Sequence, residues 1–338
     1  MSNIFDFLDC DISIYRYSFI FVILLLNLIN DILNLFLLCD NDYMKICFVV
    51  QDLSLGGSNT VVHDIIRNWN SSDELFLVSF FNNFDKRYED LKTLTNLQII
   101  FLGKKRTIDI PFLFKLKKCL INIKPDVISS HLTTTFYLKL VGLDRKCSIF
   151  HTIHSEPSCD LPKIYRLFLK KSIIKNKIKL IGCCEYISNK AKELYGVDVI
   201  TINNGIQINE ECNTIDVNKP VKFLFVGRFE TVKNIDLLIE SFNSTKNNNS
   251  ELYLCGFGTL EEHIKQLIDN SIKKNFIFLL GKSNSVDDIY KKCDVLCLVS
   301  KREGLPMTIL EAISYNMAFI TSNVGGISSF VHNELNGY

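Results

Sequence analysis

Two glutamates near the end of the chain, Glu303 and Glu311, are spaced so that both could bind one ligand. The apolar run 294–299 predicts a buried strand, and Pro306 suits the first turn of a following helix, where no backbone N–H is required. Glu303 then falls in the loop before the helix and Glu311 within the helix. Carboxylates accept hydrogen bonds from hydroxyls, and the unbonded amides of a helix start can meet ligand oxygens. This junction therefore suits a sugar or a ribose.

Two basic residues, Arg228 and Lys233, follow another predicted strand at 222–226. At a strand end both can reach one diphosphate, the arginine through its fork of N–H groups and the lysine as a point charge. A solvated basic loop is the alternative interpretation of the same residues.

Glycine-containing turns follow two further predicted strands. Gly56 and Gly57 come after residues 46–51 and open a predicted helix, and Gly256 and Gly258 come after residues 251–255. Glycine lets a phosphate or a sugar approach the backbone closely. Each pattern alone fits a tight turn equally well.

Three histidines lie at the ends of two adjacent predicted strands: His131 after 127–130, and His151 and His154 around the end of 148–153. We expect them at one edge of a sheet, where either a structural or a catalytic role is open. His63 and His263 lie on predicted helices and are interpreted as surface or packing residues.

Composition limits the class of protein. The chain has 338 residues, enough for two domains, and 38 Lys and Arg against 37 Asp and Glu give no case for nucleic-acid binding. Its twelve cysteines form no Cys-x-x-Cys pair. Reduced thiols in a cytosolic protein are therefore favoured over a disulfide framework or a zinc site.

The first 43 residues differ from the rest. Residues 17–39 are almost all apolar and long enough to span a bilayer, but an aspartate near the centre of a span costs roughly 3 kcal/mol. Three interpretations stay open: an extension upstream of a natural start at Met44, a membrane anchor, or a part of the fold. The aspartate argues against the anchor.

From Met44 onward, short apolar runs alternate with amphipathic stretches in two series, with a break near 204–220. The first series has predicted strands at 46–51, 75–80, 99–102, 127–130, 148–153 and 180–183, with helical stretches between them, for example at 59–68, 110–123 and 161–175. The second has strands at 222–226, 251–255, 276–279, 294–299 and 318–321 and helices at 234–243, 260–270, 286–292 and 306–315. This alternation predicts two α/β domains with parallel, doubly wound sheets, whose ligands bind at the carboxyl ends of the strands.

Taken in order along the chain, these motifs resemble those of retaining glycosyltransferases with the GT-B fold, of the family 4 or group 1 type. The Gly56-Gly57 turn, the Gly227-Arg228…Lys233 run, and Glu-Gly-Leu-Pro followed by Leu-Glu-Ala and by Val324-Gly325-Gly326 carry the resemblance. It covers about residues 44–338. It implies two Rossmann-like domains facing across a cleft, an acceptor domain at 44–205 and a nucleotide-sugar donor domain at 206–338.

The resemblance also implies roles for residues. Arg228 and Lys233 would neutralise the leaving diphosphate, Glu303 would contact the donor sugar, Glu311 would hold the ribose, and His151 would lie near the reacting sugar. The implied donor-binding set is completed by Gly57, Gly227, Gly256, Gly258, Gly304, Leu305 and Pro306. The nucleotide sugar is a co-substrate, and no metal or other cofactor is expected, because arginine and lysine stabilise the leaving group.

Some residues depart from the family's pattern. Asn59 replaces a common acidic residue and Val299 a common proline, while Asn316 and Ala318 replace the glycine and proline that usually follow the second helix. The family also continues beyond the position of Tyr338. The resemblance therefore predicts a truncated C-terminal part, with weak or no activity unless the remainder is supplied.

The expected function is transfer of a sugar to a glycan acceptor, often lipid-linked, in surface polysaccharide, lipopolysaccharide or glycolipid synthesis. The protein would then be cytoplasmic and would work at, or be anchored to, the inner membrane surface. The alternatives are a nucleotide-sugar epimerase of the same fold and a non-catalytic relative that acts as a partner subunit.

Overall fold

A computed structural model describes residues 43–69, 72–106, 109–206, 219–246, 249–283 and 285–331. The described residues up to Ile206 form one compact unit, the N-terminal unit, and those from Lys219 onward form the C-terminal unit. The apolar segment 1–43, for which three interpretations were open, lies almost entirely outside the described residues. Within them, no helix is both long and apolar enough to cross a membrane.

The N-terminal unit is built on a parallel sheet in which strands one to seven have the order β3-β2-β1-β4-β5-β6-β7. Its strands are β1 Lys45–Val50, β2 Glu74–Ser79, β3 Leu97–Phe101, β4 Val127–His131, β5 Ser148–Ile153, β6 Ile178–Gly182 and β7 Ile200–Thr201. Nearly every residue of β1 and β4 is buried. This is expected for parallel strands covered by helices on both faces.

The helices of the N-terminal unit are α1 Gly57–Arg67, α2 Ile110–Ile123, α3 Thr134–Leu140, α4 Pro157–Asp160, α5 Lys163–Ile174 and α6 Glu185–Tyr195. Helix α2 shows why the sequence folds this way locally. The side chain of Asp109 caps its start by accepting a hydrogen bond from the Phe112 amide, and Pro111 occupies the first turn. Its buried residues recur every three or four positions and pack on the sheet: Phe112, Leu116, Leu120 and Ile123.

The C-terminal unit repeats the design with a parallel sheet in the order β10-β9-β8-β11-β12. Its strands are β8 Val221–Arg228, β9 Ser250–Phe257, β10 Ile277–Gly281, β11 Val295–Leu298 and β12 Ala318–Thr321. Its helices are α7 Ile235–Asn243, α8 Glu261–Asp269, α9 Asp287–Tyr290 and α10 Met307–Ser314. A single apolar cluster joins β8, β9 and β11 to α7 and α10, with Phe223, Phe225, Phe242 and Leu296 fully buried.

The two predicted doubly wound sheets are confirmed, and most strand limits lie within two or three residues of their predicted positions. The predicted helix at 161–175 instead begins at Lys163, because Pro162 takes the position before its first turn and α4 precedes it. The predicted helix at 286–292 is the single turn α9. Helix α3 lies between two predicted strands, where a helical stretch was expected without bounds, while helix α6 and strand β7 were not predicted.

Candidate functional site

The predicted charged residues of the C-terminal unit lie at the point where its strand order reverses. There β8 and β11 are neighbours, with β9 and β12 on their outer sides. Strand β8 ends with Gly227 and Arg228, and β11 leads through Ser300 into the loop that contains Glu303. Carboxyl ends of parallel strands meet at one edge of a sheet, and the reversal of strand order opens a crevice for ligands there.

Lys233 and Glu303 are in direct contact at this edge. The lysine Nζ lies 2.6 Å from Glu303 Oε1, and the two side chains are only 19% and 10% exposed. Their loops are also tied through the backbone, because the Lys301 amide donates to the Val232 carbonyl at 2.8 Å. The structure therefore brings together two residues that the sequence placed 70 positions apart.

Arg228 is placed differently. It forms an ion pair with Glu230 at 2.9 Å, and its side chain is 62% exposed. An exposed pair of this kind contributes little stability, roughly 0–1 kcal/mol. The guanidinium can therefore exchange Glu230 for an anionic ligand at low cost.

Glu311 is held by a tyrosine that the sequence analysis missed. The hydroxyl of Tyr290, on α9, donates to Glu311 Oε2 at 2.6 Å. The buried Tyr290 ring stacks on that of Tyr315, with centroids 5.4 Å apart, and the Tyr315 hydroxyl donates to Asp287 at 2.8 Å. The sequence offered no signal for this role, because an apolar pattern alone predicts only that Tyr290 packs in the core.

The loop from Glu303 to Pro306 is supported from behind by Gly325 and Gly326. A Cβ on Gly325 would lie 2.0 Å from the Glu303 carbonyl oxygen, and the Gly326 amide donates to the Gly304 carbonyl at 2.7 Å. Only glycine allows this approach at position 325, and together with the backbone hydrogen bond from Gly326 it fixes the path of the loop. Gly304, Leu305 and Pro306 are buried along it.

Two hydroxyls beside this loop have no hydrogen-bond partner among the described residues: Ser300 Oγ at the end of β11 and Thr308 Oγ1 in the first turn of α10. A buried hydroxyl without a partner costs about 1–3 kcal/mol, so such groups call for an explanation. Contact of both hydroxyls with a bound ligand is an explanation that fits their position. Neither residue was predicted from the sequence to belong to the site, although Ser300 and Thr308 lie on either side of Glu303 in the chain.

Gly256 and Gly258 allow close packing between the ends of β8 and β9. A Cβ on Gly256 would lie 1.8 Å from the Gly227 carbonyl oxygen, and one on Gly258 would lie 2.5 Å from the Phe229 carbonyl oxygen. This close approach explains the two glycines without any ligand, whereas a Cβ on Gly227 would meet only the Phe225 and Lys233 side chains, at 3.2 Å or more. The predicted contact of all three glycines with the donor stays a prediction.

At Gly56 in the N-terminal unit, unlike at Gly256 and Gly258, the neighbouring atoms leave room for a side chain. It precedes Gly57, the first residue of α1, and a Cβ on Gly56 would meet nothing within 4 Å. Packing inside the protein therefore does not require glycine here. The open space agrees with close approach of a ligand to this turn.

The three histidines predicted at one sheet edge do meet there. His131 Nδ1 lies 2.8 Å from His154 Nε2, and the two rings are stacked. His151 is fully buried, with Nδ1 2.8 Å from Thr135 Oγ1 and Nε2 3.2 Å from Asp160 Oδ2. His154 lies just beyond β5 and is only partly buried. A ligand could therefore reach His154 more easily than the predicted His151.

Burial keeps two of these rings neutral. It lowers the pKa of His154 to about 4, although the nearby Asp160 carboxylate acts in the opposite direction. Burial and the neighbouring His154 lower the pKa of His131 well below its usual range. A neutral imidazole can donate a hydrogen bond from one nitrogen and accept one at the other.

A cavity of about 350 Å³ lies elsewhere in the N-terminal unit, along α6 and β7. Its lining includes Glu185, Lys192 and Asn203 and none of the predicted site residues. Size alone does not make a cavity functional. The strand-end geometry of the charged residues is the stronger indication of a binding site.

Two family profiles match the chain. One, described as glycosyl transferases group 1, matches residues 209–338, and the other, glycosyltransferase family 4, matches residues 55–210. Together they span almost everything after Met44.

Individual relatives agree with the profiles. The chain is 25% identical over 83% of its length to a Campylobacter jejuni GalNAc-alpha-(1->4)-GalNAc-alpha-(1->3)-diNAcBac-PP-undecaprenol alpha-1,4-N-acetyl-D-galactosaminyltransferase, covering 79% of that protein. It is 27% identical over 82% of its length to the Escherichia coli O-antigen biosynthesis glycosyltransferase WbnH, covering 81% of it. Among solved structures, Anabaena HepE in complex with UDP-glucose matches with a TM-score of 0.72 at 15% identity, covering 87% of this chain and 85% of HepE.

Proposed function

Because this chain belongs to the glycosyl transferases group 1 family and has the GT-B fold, we propose that it moves a sugar from a nucleotide-sugar donor to a glycan acceptor, with retention at the anomeric carbon. The observation that carries this proposal is the meeting of Lys233 and Glu303 at the strand-order reversal of the C-terminal unit. One supplies positive charge for a diphosphate, and the other supplies oxygens for sugar hydroxyls.

The diphosphate of the donor binds Lys233 and Arg228. An ammonium group has three N–H donors, so Lys233 can keep its bond to Glu303 and still donate to a phosphate oxygen. Arg228 adds a two-pronged contact after releasing the exposed Glu230. Charge builds up on the leaving phosphate in the transition state, and these cations stabilise it there.

The sugar and the ribose of the donor bind next to the diphosphate at the same edge. Glu303 accepts hydrogen bonds from sugar hydroxyls, and Glu311, oriented by Tyr290, accepts those of the ribose. Pro306 precedes α10 without capping its first turn through a side chain, which favours ligand oxygens at that helix start. Ser300 and Thr308 supply hydroxyls that have no partner among the described residues.

In the proposed reaction the bond between the anomeric carbon and the phosphate oxygen breaks through an oxocarbenium-like transition state. The acceptor oxygen bonds to the same face of the sugar, and its proton passes to the departing phosphate. The proposal assigns no step to a metal or another cofactor, because Arg228 and Lys233 provide the charge. The predicted place of His151 near the reacting sugar stays a prediction.

For the acceptor we propose a glycan on a polyprenyl diphosphate, used in surface polysaccharide, lipopolysaccharide or glycolipid synthesis. Support comes from the Campylobacter relative, whose name gives an undecaprenol-linked glycan, and from the O-antigen role in the name of the Escherichia coli relative. Such an acceptor lies in a membrane, so the enzyme works at the cytoplasmic membrane surface.

The test is an assay of labelled nucleotide sugars with a polyprenyl-diphosphate-linked oligosaccharide. We expect label in the lipid-linked product and an NMR coupling constant that reports an anomeric configuration equal to that of the donor. Conversion of the donor to its epimer would mark an epimerase, and neither product with any donor would mark a non-catalytic relative. Either result would reject the proposed transfer, and inversion would reject the proposed stereochemistry.

A further inference from the structure

Thr308 differs from other threonines on or beside the helices of this protein. A threonine in such a place ordinarily satisfies its hydroxyl by donating to a backbone carbonyl three or four residues back. Four threonines do so, each with its acceptor: Thr60 to Gly56, Thr93 to Asp90, Thr134 to His131 and Thr245 to Phe242. Thr308 lies in the first turn of α10, yet its buried Oγ1 has no partner among the described residues.

The backbone around α10 explains this difference. The Gly304 carbonyl, four residues before Thr308, already accepts a hydrogen bond from the Gly326 amide at 2.7 Å. The bond that supports the Glu303 loop therefore occupies the acceptor that Thr308 would otherwise use. The hydroxyl of Ser300, on a side chain only 1% exposed, has no partner in the described part of the chain either. Buried hydroxyls of this kind are ready to bond to a ligand.

Thr308 stands between two groups of the proposed donor site. It precedes Glu311 by three positions on α10, so the two side chains lie on one face of the helix. Side chains on a helix lean towards its N-terminus, so the Thr308 hydroxyl lies nearer to the helix start than Glu311 does. The loop that leads into this helix start carries Glu303, which is paired with Lys233 at 2.6 Å.

We propose that Thr308 Oγ1 donates a hydrogen bond to the α-phosphate of the nucleotide-sugar donor. The inference rests on the proposed function, in which Glu311 holds the ribose and Lys233 holds the diphosphate. The α-phosphate is bonded directly to the ribose, so it must lie between these two groups, which is where Thr308 stands. A hydrogen bond from a hydroxyl to a phosphate oxygen is charge-assisted and therefore stronger than one between neutral groups.

This contact binds the nucleotide rather than accelerating the reaction. The bond that breaks joins the sugar to the β-phosphate, and the α-phosphate keeps its charge throughout. Thr308 therefore stabilises the bound donor and the transition state to about the same extent, and its loss should raise KM for the donor with little change in kcat. Lys233 differs, because its charge acts on the phosphate that gains charge as the sugar leaves.

The test measures the melting temperature of the full chain with the nucleoside, the 5′-monophosphate and the 5′-diphosphate of uridine, guanosine, adenosine and thymidine at varied concentration. A ligand of the folded protein raises the melting temperature by mass action, which gives relative affinities. In Thr308→Val we expect affinity for the mono- and diphosphate of the preferred base to fall about tenfold or more, because a hydrogen bond to a charged group is lost. Affinity for the nucleoside should stay unchanged, and Thr308→Ser, which keeps the hydroxyl, should match the wild type.

The ligand-free protein provides a second readout. Valine has the shape of threonine without a hydroxyl to bury, so ligand-free Thr308→Val should melt at the same temperature as the wild type or higher. The matched control is Thr93→Val, in the 3-10 helix Lys86–Thr93 of the N-terminal unit, where the hydroxyl donates to the Asp90 carbonyl at 2.7 Å. This control should not raise the melting temperature and should leave nucleotide binding unchanged.

The pattern of lost affinity decides the outcome. Equal loss for the nucleoside would place the hydroxyl at the ribose, and loss for the diphosphate alone would place it at the β-phosphate, and either result would overturn the proposal. Unchanged binding of all three compounds, or a lower melting temperature of ligand-free Thr308→Val, would overturn it as well. A wild type that binds none of the compounds would overturn both this inference and the proposed function. Nucleotide binding without any sugar transfer would reject the proposed function alone, because the α-phosphate contact requires only the nucleotide.

Discussion

At the residue scale, the contact between Lys233 and Glu303 lets the two side chains compensate each other's charge. Their 2.6 Å contact is largely shielded from water, so loss of either side chain would leave the other charge poorly compensated. The spacing of residue types predicted that both belong to one site. The sequence could not predict that they pair with each other, because that depends on the path of two loops fixed by Gly325 and the Lys301 amide.

Tyr290 gives the first prediction at this scale. Replacing Tyr290 by phenylalanine keeps the stacked ring but removes the hydrogen bond that orients Glu311. Net hydrogen bonds to charged groups are worth about 1.5–3 kcal/mol, and we expect roughly a tenfold rise in KM for the donor with a smaller change in kcat. Initial rates at varied donor concentration measure the effect.

Tyr253 provides a matched control for that variant. Its hydroxyl donates to Glu251 at the same distance of 2.6 Å, in strand β9 and away from the candidate site. Phenylalanine at position 253 should leave donor KM unchanged. If both variants raised KM equally, a specific role of Tyr290 would be ruled out.

At the element scale, the glycines after the strands have two different roles: some allow close packing of strand ends, and others leave space for a ligand. Alanine at position 256 would place a Cβ 1.8 Å from the Gly227 carbonyl, so we expect a loss of at least about 3 kcal/mol in the free energy of unfolding of the C-terminal unit.

Alanine at position 56 meets nothing in the protein. It should keep stability yet lower kcat/KM by about tenfold through displacement of the ligand.

Urea unfolding followed by circular dichroism, together with the transfer assay, measures both glycine variants. A stable Gly256→Ala protein would show that the close approach of β8 and β9 is wrong. Full activity in Gly56→Ala would show that no ligand approaches the first turn of the N-terminal unit.

The histidines at the ends of β4 and β5 predict a pH dependence. The folded pKa values of His154 and His131 lie below the ordinary 6.5, so between about 6.5 and 4 the unfolded chain binds more protons than the folded one. The stabilisation from these rings is therefore complete above about pH 7 and is lost as the pH falls. A shift of one pKa unit corresponds to about 1.4 kcal/mol, so protonation of His154 should lower the free energy of unfolding by up to about 3 kcal/mol as the pH falls.

Trp69 can report the pH dependence of unfolding of the N-terminal unit, because it is the sole tryptophan of the chain and lies buried in that unit. Its fluorescence during urea unfolding at several pH values should report a shallower pH dependence in His154→Gln than in the wild type. His263→Gln, which changes an exposed histidine of the C-terminal unit, should keep the wild-type slope. An unchanged slope in His154→Gln would contradict the lowered pKa of His154 in the folded protein.

At the scale of the whole molecule, the sequence predicts the two parallel sheets well, because alternating apolar runs and amphipathic stretches leave few other topologies. It also predicts that Arg228 and Lys233 follow β8, that Glu303 lies in the loop after β11 and that Glu311 lies in the next helix, as the structure has them, while their roles toward a donor stay predictions. It does not predict α6 or the roles of Tyr290, Ser300 and Thr308. Those depend on which side chains meet after folding, and local periodicity carries no such information.

The proposed transfer reaction requires Lys233 to act on the donor diphosphate. The most direct test compares kcat for transfer from a labelled nucleotide sugar in the wild type, Lys233→Met and Lys265→Met, with circular dichroism to confirm that each protein is folded. Lys265 lies in an exposed ion pair on α8 and serves as the matched control. We predict a loss of about a hundredfold or more in kcat for Lys233→Met and wild-type turnover for Lys265→Met. Wild-type turnover in a folded Lys233→Met protein would contradict the donor-site assignment.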